Sequence, residues 1–577
     1  MTMRFLSGRA RLASVAALLA VAPLAACDDS EPLVPVGLHV TPLSSSSCGD
    51  PDNQSANPNP FVDAPNVSIA VRGIDTTTGK FGTLVKKSGK IAEGKSLTIK
   101  GVPEGLDREV ILYAQGGGQK WYGRDTGIDV TRDGPAAAGM ALSRYDGFSC
   151  VPSSGIPNVV FPAVVTMGDG RILSFGGFTK FDGDKITVAT KQALLFDPRT
   201  GTSEVLDGAP VGSQRGAATA VYLPRTNKVV ILGGAKELTL DQTKEFPLVL
   251  DASRAANNLK DDYLIFDPET KSFTAGVDHM LVGRAFAKTA TLGDGTVLVM
   301  GGGRWPLDID GDESHLESDI FDPQDNDEAG GFLDIPSLRG FYPRAGQSLL
   351  VLRQTDEGLT QLLVWGGTTP SSGNQPTNLN RLGEVFKQSG RQQDGVNGTF
   401  AEVSVVGPNG GVPPDFTFFQ ELTKLSDTDF IATGGAVMEG TTLHGPRDDE
   451  AWHIQVRPDE AVPLLVVTKI GNLSARVFHT AISDDGVHAA ILGGWNVNAG
   501  NLFGAVSNTV SFFDNSDRSM KVSDSASAQF APRGGQGATL TPAGTIFMVG
   551  GEFDLSAFTA QHALVSEIFT PSFVPLP

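Results

Sequence analysis

The chain has 577 residues with 69 glycines, 35 prolines and 7% aromatic residues, so it is long enough for several domains and rich in turns. That composition argues many short strands rather than long helices. A formal charge of −20 disfavours nucleic acid and bare anionic membrane as partners.

Arg4, Arg9 and Arg11 precede an apolar stretch from Leu12 to Leu24 that is too short to span a bilayer, which is the layout of a cleaved export signal over residues 1–26. Leu24-Ala25-Ala26-Cys27 resembles the lipobox of bacterial lipoproteins. The resemblance implies cleavage before Cys27, a diacylglyceryl thioether on its sulfur and a fatty acyl group such as palmitate on the new N-terminus. Several acyl chains anchor stably. The expected location is the cell envelope, at the outer membrane or the periplasmic face of the inner membrane. Loss of three arginines with the signal leaves a charge of −23. Cys48 and Cys150 then remain in a compartment that permits disulfides, and they are expected to pair.

Residues 27–60 are polar and punctuated by Pro51, Pro58 and Pro60, and read as a flexible tether. Over 61–147 short runs alternate with period two, as in Val67-Ser68-Ile69-Ala70-Val71 and Glu109-Val110-Ile111-Leu112-Tyr113-Ala114. These predict a small antiparallel β-sandwich resembling the Ig-like or carboxypeptidase-regulatory-like spacers of envelope proteins.

From 148 to 577 the sequence repeats. An apolar strand ending in Gly-Gly recurs seven times, with first glycines at 176, 233, 301, 366, 434, 493 and 550. Spacings of 57 to 68 residues point to a propeller or another array. In each unit a first strand, a short turn, the Gly-Gly strand, a variable loop and two further strands follow in order. This resembles the Kelch repeat, a four-stranded propeller blade, and predicts an all-β chain with a seven-bladed Kelch-type β-propeller. Residues near 147 to 158 are expected to complete the last blade.

Connections between first and second strands are tight, as in Gly168-Asp169-Gly170, whereas loops after Gly-Gly are long: 235–261, 303–318, 368–382, 436–450, 495–508 and 552–564. Insertions concentrated on one face mark it for binding. Arg215, Arg284, Arg344, Arg476 and Arg533 recur where the first strand begins, with apolar residues near Val159 and Phe418 in blades one and five. A partial ring of guanidiniums at the channel mouth could grip carboxylate or phosphate. The alternative is that each bonds carbonyls or carboxylates of its own blade. His479 lies just inside an innermost strand and faces either the channel or the core. Asp197-Pro198, Asp267-Pro268 and Asp322-Pro323 read as turn-makers rather than catalytic acids. Asp308, Asp310 and Asp312 alternate in an acidic loop that could present oxygens to Ca²⁺, although the glycine is misplaced for an EF-hand and solvation explains the loop as well.

No catalytic residue is assigned, and no cofactor beyond that Ca²⁺ is expected. The function expected is that of an extracytoplasmic, lipid-anchored binding or scaffold protein whose long-loop face takes an envelope protein or a glycan. The alternative is a sugar-active enzyme similar to the sialic-acid mutarotases. Galactose oxidase resembles the architecture but needs a copper site with a cysteine–tyrosine cross-link, and here the cysteines are otherwise committed.

Overall fold

The computed structural model describes residues 33–43, 66–89, 97–116, 118–132, 136–152, 156–182, 185–240, 248–249, 259–302, 318–333, 346–354, 358–370, 376–378, 383–391, 398–407, 417–439, 442–445, 450–457, 463–552 and 566–577. The signal segment, Cys27 and Cys48 lie outside them.

Seven strands make the first domain: β1 (Leu33–Pro42), β2 (Asn66–Ile74), β3 (Phe81–Gly89), β4 (Leu97–Pro103), β5 (Gly105–Gly116), β6 (Gln119–Val130) and β7 (Ala136–Arg144). Their order is β3-β2-β5-β6-β7-β1-β4. Alternate residues of each strand turn inward, such as Val67, Ile69 and Val71 of β2, and one apolar core receives them all. The edge strands β3 and β4 meet, so the sheet curls round that core.

The tether expected over 27–60 does not extend over β1. Val34, Val36 and Leu38 are 7%, 0% and 1% exposed, and their alternation is that of a strand. Pro35 disguised it. This proline sits where the pairing of β1 with β4 shifts register and before its pairing with β7 begins, the place where a missing N–H costs least. The β1–β7 pair is parallel and all seven strands belong to one curled sheet, so the domain departs from the antiparallel sandwich that the alternation predicts.

The described residues that follow form a seven-bladed β-propeller. Blade 1 runs outward through Ala163–Thr166, Ile172–Phe175, Ala193–Asp197 and Thr202–Leu206, and the other blades repeat this order. Blade 5 adds an outer strand, Ser404–Val406, parallel to Leu464–Asn472. Blade 7 takes three strands from the end of the chain and its fourth, Gly147–Cys150, from the beginning of the propeller, with Phe569 opposite Phe148. Ring closure therefore falls where the sequence placed it. Cys150 is disulfide-bonded.

The paired glycines have a specific task. At the first glycine φ is +62° to +69° in all seven blades. A Cβ on Gly176, Gly233, Gly434, Gly493 or Gly550 would stand 2.2 to 2.5 Å from a carbonyl oxygen of the next blade. The second glycine then donates to that same carbonyl: Gly177 to Arg215, Gly234 to Arg284, Gly435 to Arg476, Gly494 to Arg533, and Gly551 to Val159 across the closure. Gly233→Ala is accordingly expected to destabilise the propeller by at least about 2 kcal/mol in denaturant unfolding. Gly208→Ala, where a Cβ meets nothing within 4 Å, should change little.

The first domain docks on the tight-turn face. Arg199, in the turn after Asp197, donates to Asp125 Oδ1 at 3.0 Å and to the Thr126 carbonyl at 3.1 Å. Tyr122 donates to the Ala543 carbonyl of a blade 7 turn, and Arg124 reaches Asp484 of a blade 6 turn at 3.4 Å. Tyr145 packs with Ile111, Tyr122 and Val574 and donates to the Ser572 carbonyl. The loop face is thus the face this domain leaves uncovered.

Candidate functional site

Arg215, Arg284, Arg476 and Arg533 do not ring the mouth as free guanidiniums; they are 0%, 1%, 1% and 3% exposed. Each donates Nη1 to the carbonyl of the first glycine of its own blade, Gly233, Gly301, Gly493 and Gly550 respectively. Each also takes a partner from the start of the third strand. Arg215 pairs with Asp262 at 2.8 Å, Arg284 with Asp319 at 3.0 Å and Arg533 with Glu567, while Arg476 donates to the Thr509 hydroxyl at 2.9 Å. The guanidinium therefore ties three strands of one blade, while its residue's carbonyl ties the preceding blade. Burial favours this outcome, since an unpaired charge inside a protein costs several kcal/mol. Burial pushes the Arg215 pKa down against the pull of Asp262, and it pushes the Glu567 pKa up against that of Arg533. The same interblade carbonyl contact identifies Val159 and Thr417 as the residues standing in for arginine in blades 1 and 5. The blade 5 equivalent is thus one residue before Phe418. Arg344, Asp308, Asp310 and Asp312 lie outside the described residues.

His479 belongs to a second set of latches. Its Nε2 meets the Thr433 hydroxyl of blade 5 at 2.8 Å, and burial holds the imidazole neutral, lowering its pKa to about 3. Gln347, Gln420 and Gln536 occupy the matching position in blades 4, 5 and 7. Gln347 donates to the Met300 carbonyl, Gln420 accepts from the Trp365 indole, and Gln536 donates to the Leu492 carbonyl. All four side chains grip the residue before Gly-Gly of the preceding blade. His479 is a core latch and does not face the channel as a ligand group.

The mouth itself is apolar. Two residues beyond each arginine position the backbone is left-handed in every blade: Phe161, Ala217, Phe286, Gly346, Phe419, Phe478 and Gly535, with φ between +53° and +70°. Amides of Phe161, Ala217, Phe286, Phe419 and Gly535 donate to the carbonyl of the equivalent residue one blade back. These bonds run round the central axis and impose the conformation. The four phenyl rings converge from blades 1, 3, 5 and 6, with centroids 4.8 Å apart for Phe161–Phe478, 5.1 Å for Phe161–Phe286, 5.5 Å for Phe286–Phe478 and 4.5 Å for Phe419–Phe478. A bulky residue at positive φ costs about 1 to 3 kcal/mol, and ring pairs return about 0.5 to 1.5 kcal/mol each. The strain is thus largely offset by the stopper it builds. Phe503 and Trp495 extend the cluster, and the Trp495 indole N–H, buried beside it, has no hydrogen-bond partner among the described residues.

Above this floor stands a crown made from the long loops. Hairpins from blade 1 (Phe178–Asp182, Lys185–Ala189) and blade 2 (Leu238–Leu240, Leu248–Val249) join into one four-stranded sheet. Phe178, Ile186 and Leu238 pack into the same apolar cluster as the stopper. Blades 4 and 5 add the hairpins Thr368–Pro370/Pro376–Asn378 and Val437–Glu439/Thr442–His444. Phe286, Phe419, Phe478 and Phe503 remain only half-buried. Inside the ring, Lys288 of blade 3 and Glu421 of blade 5 approach to 3.7 Å, an ion pair between first strands of non-adjacent blades. Among the described residues no group of three or more His, Cys, Asp or Glu side chains could hold a metal ion.

Sequence reasoning missed the phenylalanines. Their only signal is the recurrence of Phe two residues after the arginine position, in Arg284-Ala285-Phe286, Arg476-Val477-Phe478, Val159-Val160-Phe161 and Thr417-Phe418-Phe419. The expected turn-makers behave as such: Asp197, Asp267 and Asp322 each accept from the amide two residues on.

No protein-family model and no curated protein matches the chain. Solved structures similar to it include a fungal alcohol oxidase of the AA5 family in complex with copper, at 15% identity and a TM-score of 0.48. The match covers 74% of this chain and 78% of that one. Another is YjhT, at 14% identity and a TM-score of 0.38, covering 65% of this chain and 99% of that one.

Proposed function

We propose that this chain is a lipid-anchored envelope protein that binds a partner protein or a glycan on the loop face of its propeller, over the phenylalanine floor. The carrying observation is the convergence of four left-handed phenylalanines beneath a crown of hairpins, on the face the first domain leaves open. Half-buried phenyl rings fit an apolar side chain or the C–H face of a sugar. Anchorage through Cys27 and location in the envelope belong to this reading.

Crosslinking capture from the native envelope and a glycan array are the tests, each run beside Phe286→Ala/Phe478→Ala. The double variant is expected to lose at least tenfold in retention of whatever the native chain retains, while keeping a cooperative unfolding transition. Equal retention by both proteins would move the site off the floor, and retention of nothing by either would remove the binding reading.

The second reading is a sugar-active enzyme similar to the sialic-acid mutarotases, and the Lys288–Glu421 pair inside the ring favours it. Anomer exchange of N-acetylneuraminic acid followed by NMR should then accelerate with the native chain and not with Glu421→Gln.

A further inference from the structure

We propose that the end of the first domain at which β1 begins is a bilayer-apposed surface, seated at the boundary between lipid headgroups and acyl chains. This rests on the anchored reading above.

Three observations meet there. Only five residues, Asp28 to Pro32, separate Cys27 from Leu33. The first residue of the sheet therefore lies within about 20 Å of the acylated cysteine even if the spacer is fully extended. A 33-residue tether would have left the domain free to drift; the strand character of Leu33–Pro42 removes that freedom.

Second, strand registers bring one set of termini together. Leu33 lies opposite Pro103, Ile74 opposite Phe81, and Gly105 opposite Val130, so β1, β3 and β5 begin where β2, β4 and β6 end. At this end stand Leu33, Ile74, Phe81 and Leu106, exposed by 66%, 44%, 45% and 67%, and they are the domain's exposed large hydrophobics among the described residues. Four such side chains at one end of a small domain mark a surface that meets something apolar.

Third, the other end is occupied. There β7 runs through Tyr145 into Gly147–Cys150 of blade 7, and Tyr145 is bonded to Ser572 of the propeller. The propeller also lies against the outward face of β6 and β7, through Tyr122, Arg124 and Asp125, which leaves the rim itself uncovered.

Charge at the rim is mixed: Asp75, Glu104, Asp107 and Asp129 stand against Lys80 and Arg132. Attraction to anionic lipid is therefore not what seats it. The tether keeps the rim at high local concentration, so modest apolar contact suffices.

The test couples the mature chain through its Cys27 thiol to maleimide-bearing phosphatidylcholine vesicles, which makes it independent of acylation in the cell. Leu106→Trp reports from the rim and Val211→Trp, 97% exposed at a loop-face connection, from the opposite side. Doxyl-labelled phosphatidylcholine is expected to quench the added emission of Leu106→Trp by at least half and that of Val211→Trp negligibly. Adding Ile74→Ser and Phe81→Ser should abolish the difference with the near-ultraviolet circular dichroism unchanged. An unquenched Leu106→Trp, or equal quenching of both reporters, overturns the proposal. Failure of the anchored reading shows separately, as an N-terminal peptide from the native host whose mass carries no acyl groups.

Discussion

Arg284→Met is expected to lower stability by about 3 to 5 kcal/mol, because it strands Asp319 as an uncompensated buried charge and frees the Gly301 carbonyl. Asp319 is only 5% exposed, so solvation cannot replace the lost partner. Its Oδ1 also accepts from the Leu281 amide at 2.9 Å. Asp319→Asn removes the charge while keeping that acceptor, so Arg284→Met/Asp319→Asn should recover about half of the loss. Denaturant unfolding of the four proteins in this cycle gives the coupling. If Arg284→Met alone costs no more than an exposed substitution, about 0.5 kcal/mol, the latch assignment is wrong.

The second large effect is a pH dependence carried by His479. In the folded chain its pKa is about 3, whereas the unfolded chain titrates near the ordinary value of 6.5. Between those values the unfolded state binds the extra proton, so stability is complete above pH 6.5 and is lost as pH falls towards 3. At pH 4.5 this amounts to about 2 to 3 kcal/mol. His479→Gln substitutes the side chain that blades 4, 5 and 7 already use at this position, so it should keep the latch and flatten the acid limb. Stability measured against pH for both proteins isolates the term from the carboxylates, which titrate in each. Parallel curves would show that the imidazole is not buried neutral.

Much of the fold was legible because glycine at positive φ and apolar runs between two neighbours leave few alternatives: seven Gly-Gly strands specify seven blades. The Asp-Pro turns were legible for the same local reason. Strand β1 was not, since Pro35 argues against a strand unless the ladder is known to shift beside it. The role of the arginines was left open between two readings because it is decided by partners 34 to 47 residues away, Asp262, Asp319 and Glu567, which no local pattern connects to them. The phenylalanine floor ran against local preference altogether. Left-handed phenylalanine has no sequence signal of its own, and only the ring of interblade hydrogen bonds imposes it.

The central claim is that the channel mouth presents phenyl rings and not guanidiniums. Phenylglyoxal labelling of the folded protein, read by peptide mass spectrometry, tests it without knowledge of any ligand. Arg132 and Arg199, with side chains 65% and 50% exposed, are expected to react readily, while Arg215, Arg284, Arg476 and Arg533 stay unmodified until the propeller unfolds. Labelling of those four at the rate of Arg132 in the folded state would contradict the account.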